Sequence, residues 1–336
     1  MTSASLVPWG RESRFALFQA GAAESDFGAD VRRGLTAARK WLPPRWFYDE
    51  LGSSLFDTIC FLPEYYVMRA EAEVLTSFAT EIVSSFGPEV RLVELGSGAA
   101  RKTRILLDVL TERQRELEYV PVDIDPAMLE RAGRELLVDY ARLHVTAICG
   151  DFTRPSLALQ RLAPRRGRTV VLFLGSTIGN LDPDEAATML RELHDALAPG
   201  DALLLGADLR KSRAILEPAY DDALGVTAAF NLNLLGRINR ELGGHFALDA
   251  FRHRAFYDEE HGRIEMHQVS KNAQRVAIAA LGLEIAFEEG ESIHTESSYK
   301  HDDETLATLA RNAGFRLERK WTDARGWFAD VLMVRS

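Results

Sequence analysis

Residues 91–103, RLVELGSGAARKT, constrain the fold more than any other stretch of the chain. Leu92, Val93 and Leu95 supply a buried strand, and Gly96 and Gly98 form a turn in which no Cβ keeps a ligand away from the backbone amides. Residues 103–110 continue as a helix whose free N–H groups point at the same place. A strand, a glycine turn and a helix start together predict a site for a nucleotide-like ligand at the end of a parallel sheet.

The spacing narrows the ligand. The dinucleotide fingerprint G-x-G-x-x-G would need glycine at position 101, and this chain has Arg101. A methyltransferase needs E/D-x-G-x-G followed by a small residue, here Glu94, Gly96, Gly98 and Ala100. S-adenosylmethionine is therefore expected in place of NAD.

Composition sets the outer limits. With 336 residues, 46% of them apolar, the chain can bury a substantial core as one large domain or two intimate ones. A net charge of −10 argues against a nucleic-acid surface, which depends on clustered Lys and Arg. The short basic run Arg165, Arg166, Arg168 reads as a solvated loop before a strand. Two cysteines, Cys60 and Cys149, suit a reducing compartment, and no apolar run approaches the roughly 18 residues of a membrane span. The start of the chain lacks a signal-peptide layout, so a soluble cytoplasmic protein is expected. The eight histidines form no metal site by spacing: His245, His253, His261 and His267 do not stand at a helical i, i+4 interval, and no metal is expected.

In chain order, 31–41 reads as a short helix stopped by Pro43 and Pro44. Leu55, Phe56, Ile59, Phe61 and Leu62 make an apolar stripe that Pro63 breaks, leaving Glu64, Tyr65 and Tyr66 at a turn. From residue 91 strands and helices alternate: strands at 119–123, 145–149, 169–174 and 202–207, with helices at 126–140 and 185–197 between them. Such alternation predicts an open doubly wound sheet with ligands beyond the carboxyl ends of its strands. Those ends carry Asp123, which can accept both ribose hydroxyl hydrogens, Asp151 with Phe152, suited to an adenine amino group and ring face, and Asn180. Asp125 before Pro126 is the better helix cap, which leaves Asp123 free for the ribose. Residues 212–241 read as largely helical, and period-two stretches at 246–257, 263–269 and 275–279 predict an inserted antiparallel layer. A helix at 303–313 and strands at 315–322 and 327–334 then close the sheet.

The blocks FYDELGSSLFDTICFLPEYYVMRAE, VELGSGAARKTRILLDVL, FLGSTIGNL, YDDALGVTAAFN, LNLLGRINRELGGHF and IHTESSYK, colinear over nearly the whole chain, resemble the histidine-specific methyltransferase family of ergothioneine biosynthesis. The resemblance implies a class I methyltransferase fold, a mainly parallel seven-stranded sheet with an inserted α+β substrate-binding subdomain. It implies a cofactor part at 71–209 and 300–336, a substrate part at 15–70 and 210–299, and a monomer acting on free L-histidine. The implied reaction is trimethylation of the α-amino nitrogen to hercynine. Cofactor contacts fall on Gly96, Gly98, Lys102, Asp123, Asp151 and Phe152, with the Lys102 ammonium near the cofactor carboxylate. Substrate contacts fall on Tyr48, Tyr65, Asn180, Tyr220, Met266, Glu296 and Ser298. Asn180, Tyr220 and Tyr48 would hold the amino-acid end, Tyr48 orienting the amine, while Glu296 pairs with an imidazole N–H and Tyr65 or Ser298 completes the ring's hydrogen bonds. Two other readings compete: an N-methyltransferase for another amino acid such as tryptophan, whose single N–H and bulk Glu296 and Met266 speak against, and a catalytically silent binding relative.

Overall fold

The computed structural model describes residues 14–20, 26–162 and 167–336. Its main sheet has eight strands in the order Phe15–Gln19, Leu143–Cys149, Leu117–Asp123, Val90–Leu95, Arg168–Phe173, Ala202–Asp208, Phe328–Arg335, Phe315–Thr322. Phe328–Arg335 runs antiparallel to both its neighbours, and the other pairings are parallel. Val90–Leu95 and Ala202–Asp208 are buried along their whole length, so neither shows an apolar–polar alternation.

Helices cover both faces. Val67–Phe86, Thr103–Arg113 and Pro126–Asp139 bury their apolar stripes on one side, and Pro183–Ala196 and Asp303–Asn312 on the other. Strand order reverses between Val90–Leu95 and Arg168–Phe173, so a crevice opens beyond their carboxyl ends.

A second sheet stands over that crevice, in the order Lys40–Trp41, Ser292–Tyr299, Arg263–Ser270, Phe251–Asp258. Helices Glu50–Ile59 and Val226–Leu242 pack together, and Val226–Leu242 lies against this sheet, around a core that includes Phe47, Phe230, Tyr257, Ile264 and Met266. The sheet is tied to the main one at Tyr299, whose carbonyl oxygen lies 2.8 Å from where a Cβ on Gly179 would stand. Glycine at 179 is therefore a packing requirement: a side chain would push the 177–180 turn off the strand.

Several expectations need correction. The main sheet has eight strands, not seven. The extra strand, Phe15–Gln19, pairs with Leu143–Cys149 and so sits with the cofactor part, not the substrate part to which 15–70 was assigned. The helix expected at 31–41 is Phe27–Leu35, capped by the Asp26 carboxylate on Gly28 N at 2.8 Å, and Lys40–Trp41 has left it to pair with Ser292–Tyr299. Cross-strand pairing outweighed a local helical pattern there. Phe61 is 77% exposed and no part of an inward stripe. Arg168 opens a strand, half-buried, and donates to the Ser85 carbonyl at 2.8 Å; Arg165 and Arg166 lie outside the described residues. The segment 212–241 is interrupted at Gly225, whose φ of +74° favours glycine, and only Val226–Leu242 is a long helix. The long helix Val67–Phe86 and the strand Leu283–Phe287 escaped the pattern reading.

Candidate active site

The strand Val90–Leu95 delivers its last residues to the crevice, and Gly96 and Gly98 turn away from it at φ of +69° and +48°. Gly96 N donates to the Val122 carbonyl at 2.9 Å, which seats the turn on the neighbouring strand. Glu94, the acid of E-x-G-x-G, is buried beneath the turn. Its carboxylate accepts from Thr103 Oγ1 at 2.7 Å and from the Tyr119 hydroxyl, so it ties strand end to helix start. Burial pushes its carboxyl up to about 7 against the pull of those donors.

Asp123 closes Leu117–Asp123 beside this turn. Gly98 N donates to its Oδ2 at 2.9 Å and Asp125 N to its Oδ1 at 3.2 Å, while the Asp125 side chain caps the next helix as expected. Each Asp123 oxygen keeps a lone pair, and a pair of ribose hydroxyls can use both. Desolvation raises its pKa, as for a carboxylate walled by protein but open to a ligand. Phe152 lies on the other side of the turn, its ring 3.7 Å from where a Cβ on Gly96 would be. Beside it the space at Gly98 is open, with nothing within 4 Å of where its Cβ would stand. Asp151 is exposed, and its Oδ1 accepts from Thr153 N and Oγ1 at 2.9 and 2.7 Å. Lys102 is turned inward, its ammonium paired with the fully buried Glu71. Glu71 also accepts from Gly175 N at 2.7 Å, so the lysine is held where the glycine turn and the Arg168–Phe173 strand end meet. These residues fit a nucleoside with a flat base and a charged amino-acid tail.

The substrate candidates meet on the other wall. Tyr48 packs edge-on against Phe56 and Phe230, with ring centroids at 5.6 and 5.8 Å, and Tyr65 stands 6.3 Å from Phe56 and 6.1 Å from Tyr220. Tyr48 is 40% exposed as a residue, and its hydroxyl is desolvated. That desolvation, with Glu296 and more distantly Asp123 nearby, holds the phenol neutral and above its usual range. Tyr220 and Ser298 share a 2.8 Å hydrogen bond. Met266 faces Glu296 directly across the strand pair. Glu296 and Ser298 share a face, as their spacing predicts, because the bulge in this strand falls before Glu296. Among the described residues no hydrogen-bond partner is found for the Glu296 carboxylate, although it is 9% exposed, and burial pushes it up to about 7 while Lys300 pulls it down. Asn180 ends the turn Thr177–Asn180 after Arg168–Phe173, over the same crevice.

Comparisons with known proteins identify the family. The model for "histidine-specific methyltransferase, SAM-dependent" matches residues 27–335. The chain belongs to this family. A histidine N-alpha-methyltransferase from Mycolicibacterium smegmatis is 48% identical over 306 residues, 91% of this chain and 94% of its own. One of the same name from Mycobacterium tuberculosis is 45% identical over the same shares. The methyltransferase CcbJ from Streptomyces caelestis is a looser likeness, with a TM-score of 0.44 at 15% identity over 78% of this chain and 95% of that one.

For a histidine-specific methyltransferase the pattern reading omitted the polar network beneath the substrate wall. Asp208, fully buried at the carboxyl end of Ala202–Asp208, accepts from Tyr66, Lys211 and Lys300. The rule that selected Asp123, Asp151 and Asn180 selects it as well once the strand is taken one residue past 207. Glu71 had no such signal, since it lies inside a helix and its partner is 31 positions away.

The structure also brings together Glu265, His267 and His294, whose ligand atoms lie within 4.8 Å of one another. Period two puts Glu265 and His267 on one face, and pairing sets His294 opposite His267, on the face away from Met266. His294 therefore stands on the face opposite the Glu296 side chain. Each donor is engaged by protein: Glu265 by Arg263 and His267, His294 by Ser297.

Proposed function

We propose that this methyltransferase moves three methyl groups from S-adenosylmethionine to the α-amino nitrogen of L-histidine, giving hercynine, the first step of ergothioneine biosynthesis. The observation that carries the choice of histidine is the Glu296 carboxylate, buried, without a hydrogen-bond partner among the described residues and flanked by Met266 and Ser298. It matches an imidazole N–H, and Ser298 or Tyr65 can serve the second ring nitrogen. Asn180, Tyr220 and Tyr48 hold the amino-acid end. Gly96, Gly98, Asp123, Asp151, Phe152 and Lys102 hold the donor, with Lys102, fixed by Glu71, toward its carboxylate. The relatives' names support the same substrate.

S-adenosylmethionine supplies an electrophilic methyl on a sulfonium. The chain's part is to present a neutral amine in line with it, since an ammonium has no lone pair. Tyr48 is held neutral by burial, so it orients the amine by hydrogen bonding and does not remove its proton. A free amine titrates near or above neutral pH, and the sulfonium charge close by disfavours the ammonium.

Anchoring both ends of the amino acid leaves only the amine free to rotate, so mass spectrometry of L-histidine incubated with the enzyme and S-adenosylmethionine is expected to show mono-, di- and then trimethylated product. Fragment ions placing a methyl on the ring would refute this reading.

Histidine affinity should also depend on Glu296 ionisation. With its pKa raised to about 7, the carboxylate is a charged acceptor above that pH and a neutral acid below it. The ratio of wild-type to Glu296→Gln affinity, measured by calorimetry, is expected to be largest at pH 8 and to narrow as pH falls through about 7. A ratio independent of pH would place Glu296 away from the ring.

No helix among the described residues is long and apolar enough to cross a membrane. A monomeric, cytoplasmic enzyme is our reading, its compartment supported by the two free cysteines.

A further inference from the structure

Beneath the substrate wall lies a lysine whose side chain is fully buried. Lys300 donates to Ser298 Oγ at 2.7 Å and to the Tyr220 hydroxyl at 2.8 Å, and its ion pair with Asp208 Oδ2 measures 2.9 Å. An ammonium has three N–H groups, and these three contacts use all of them. A buried ammonium needs a counter-charge, and Asp208 supplies it from the end of a main-sheet strand. Asp208 is fixed in turn, its backbone N donating to Ser176 Oγ at 2.9 Å at the base of the turn that carries Asn180.

We propose that Lys300, anchored by Asp208, is a positioning residue that fixes the Tyr220–Ser298 hydroxyl pair as a hydrogen-bond donor beside Glu296, so that the pocket selects a neutral imidazole ring. Each hydroxyl has one hydrogen and two lone pairs. Lys300 occupies one lone pair on each oxygen, and the 2.8 Å bond between Tyr220 and Ser298 uses one hydrogen and one more lone pair. One hydrogen and one lone pair remain for a ligand: with Tyr220 donating to Ser298, the hydrogen is on Ser298 for the ring and the lone pair is on Tyr220 for the amino-acid end, and the cation behind the pair makes that hydrogen a stronger donor. A neutral imidazole has one N–H and one bare nitrogen, so it meets Glu296 with the first and this hydrogen with the second. An imidazolium would bring a second N–H to a wall that already carries a cation.

This inference rests on the substrate site proposed above, and the test separates the two. Lys300→Met removes the ammonium while keeping most of the side chain's reach, and leaves Asp208 paired with Lys211 and Tyr66. It is expected to raise KM for histidine about 30-fold or more, with a smaller change in kcat, while S-adenosylhomocysteine affinity stays within about threefold. The deciding measurement is a double-mutant cycle with Ser298→Ala. If Lys300 acts through the hydroxyl pair, its effect on KM shrinks to below about threefold in the Ser298→Ala background, since the partner is already gone. Lys300→Gln, which keeps N–H donors without the charge, supplies the same cycle should Lys300→Met lose the native fold, with the same non-additivity expected. Full additivity in either cycle, or an unchanged KM, overturns the positioning role alone. Ser298→Ala with unaltered KM overturns the substrate site and this inference together.

Discussion

Asp123→Ala is expected to abolish measurable cofactor binding while leaving the fold intact. The carboxylate stands at a strand end, oriented by Gly98 N and Asp125 N, with a lone pair left on each oxygen. Two charge-assisted hydrogen bonds to ribose hydroxyls are worth roughly 1.5–3 kcal/mol each, so their joint loss weakens affinity by about two orders of magnitude or more. The backbone amides it serves lie at the crevice, where water can replace it, so the melting temperature without ligand should move little. Titration with S-adenosylhomocysteine checks the first part and thermal denaturation the second. Unchanged affinity in a folded variant would move the nucleoside elsewhere.

The second large effect is on substrate choice. Glu296 and Met266 face each other across one strand pair, so removing both widens a single wall. Glu296→Ala deletes the acceptor for the ring N–H at a cost of about 2–4 kcal/mol for histidine, and leaves space beside the ring. Met266→Val enlarges that space. The double variant is therefore expected to lose histidine and to accept a larger aromatic amino acid, read as kcat/KM for histidine and tryptophan in both proteins. Were Glu296 a rim carboxylate, histidine activity would stay within about threefold, as for most surface changes. A double variant that still prefers histidine would remove Glu296 from the site.

The sequence by itself determined the parts whose signal is local. The strand at 91–95, the turn at Gly96 and Gly98 and the helix from Thr103 are encoded by contiguous residues, and Asp125 before Pro126 names its own cap. Strand ends gave Asp123 and Asn180 because a doubly wound sheet exposes its carboxyl ends by rule. Motifs in colinear order gave the family, which the match over residues 27–335 bears out.

Tertiary structure decided whatever depends on distant partners. Lys40–Trp41 became a strand because Ser292–Tyr299 offered it hydrogen bonds, although the local pattern continued a helix. Phe15–Gln19 became the eighth strand of the main sheet by pairing with residues 130 positions away. Lys102 reads from its neighbours as an exposed lysine in a first helical turn, and only the approach of Glu71 turns it inward. Lys300 and Asp208 lie 92 positions apart, and each alone is a buried charge that a chain should avoid. Their juxtaposition removes that cost and fixes the hydroxyls of the substrate wall, because a buried ammonium satisfied on three sides has no freedom left to turn.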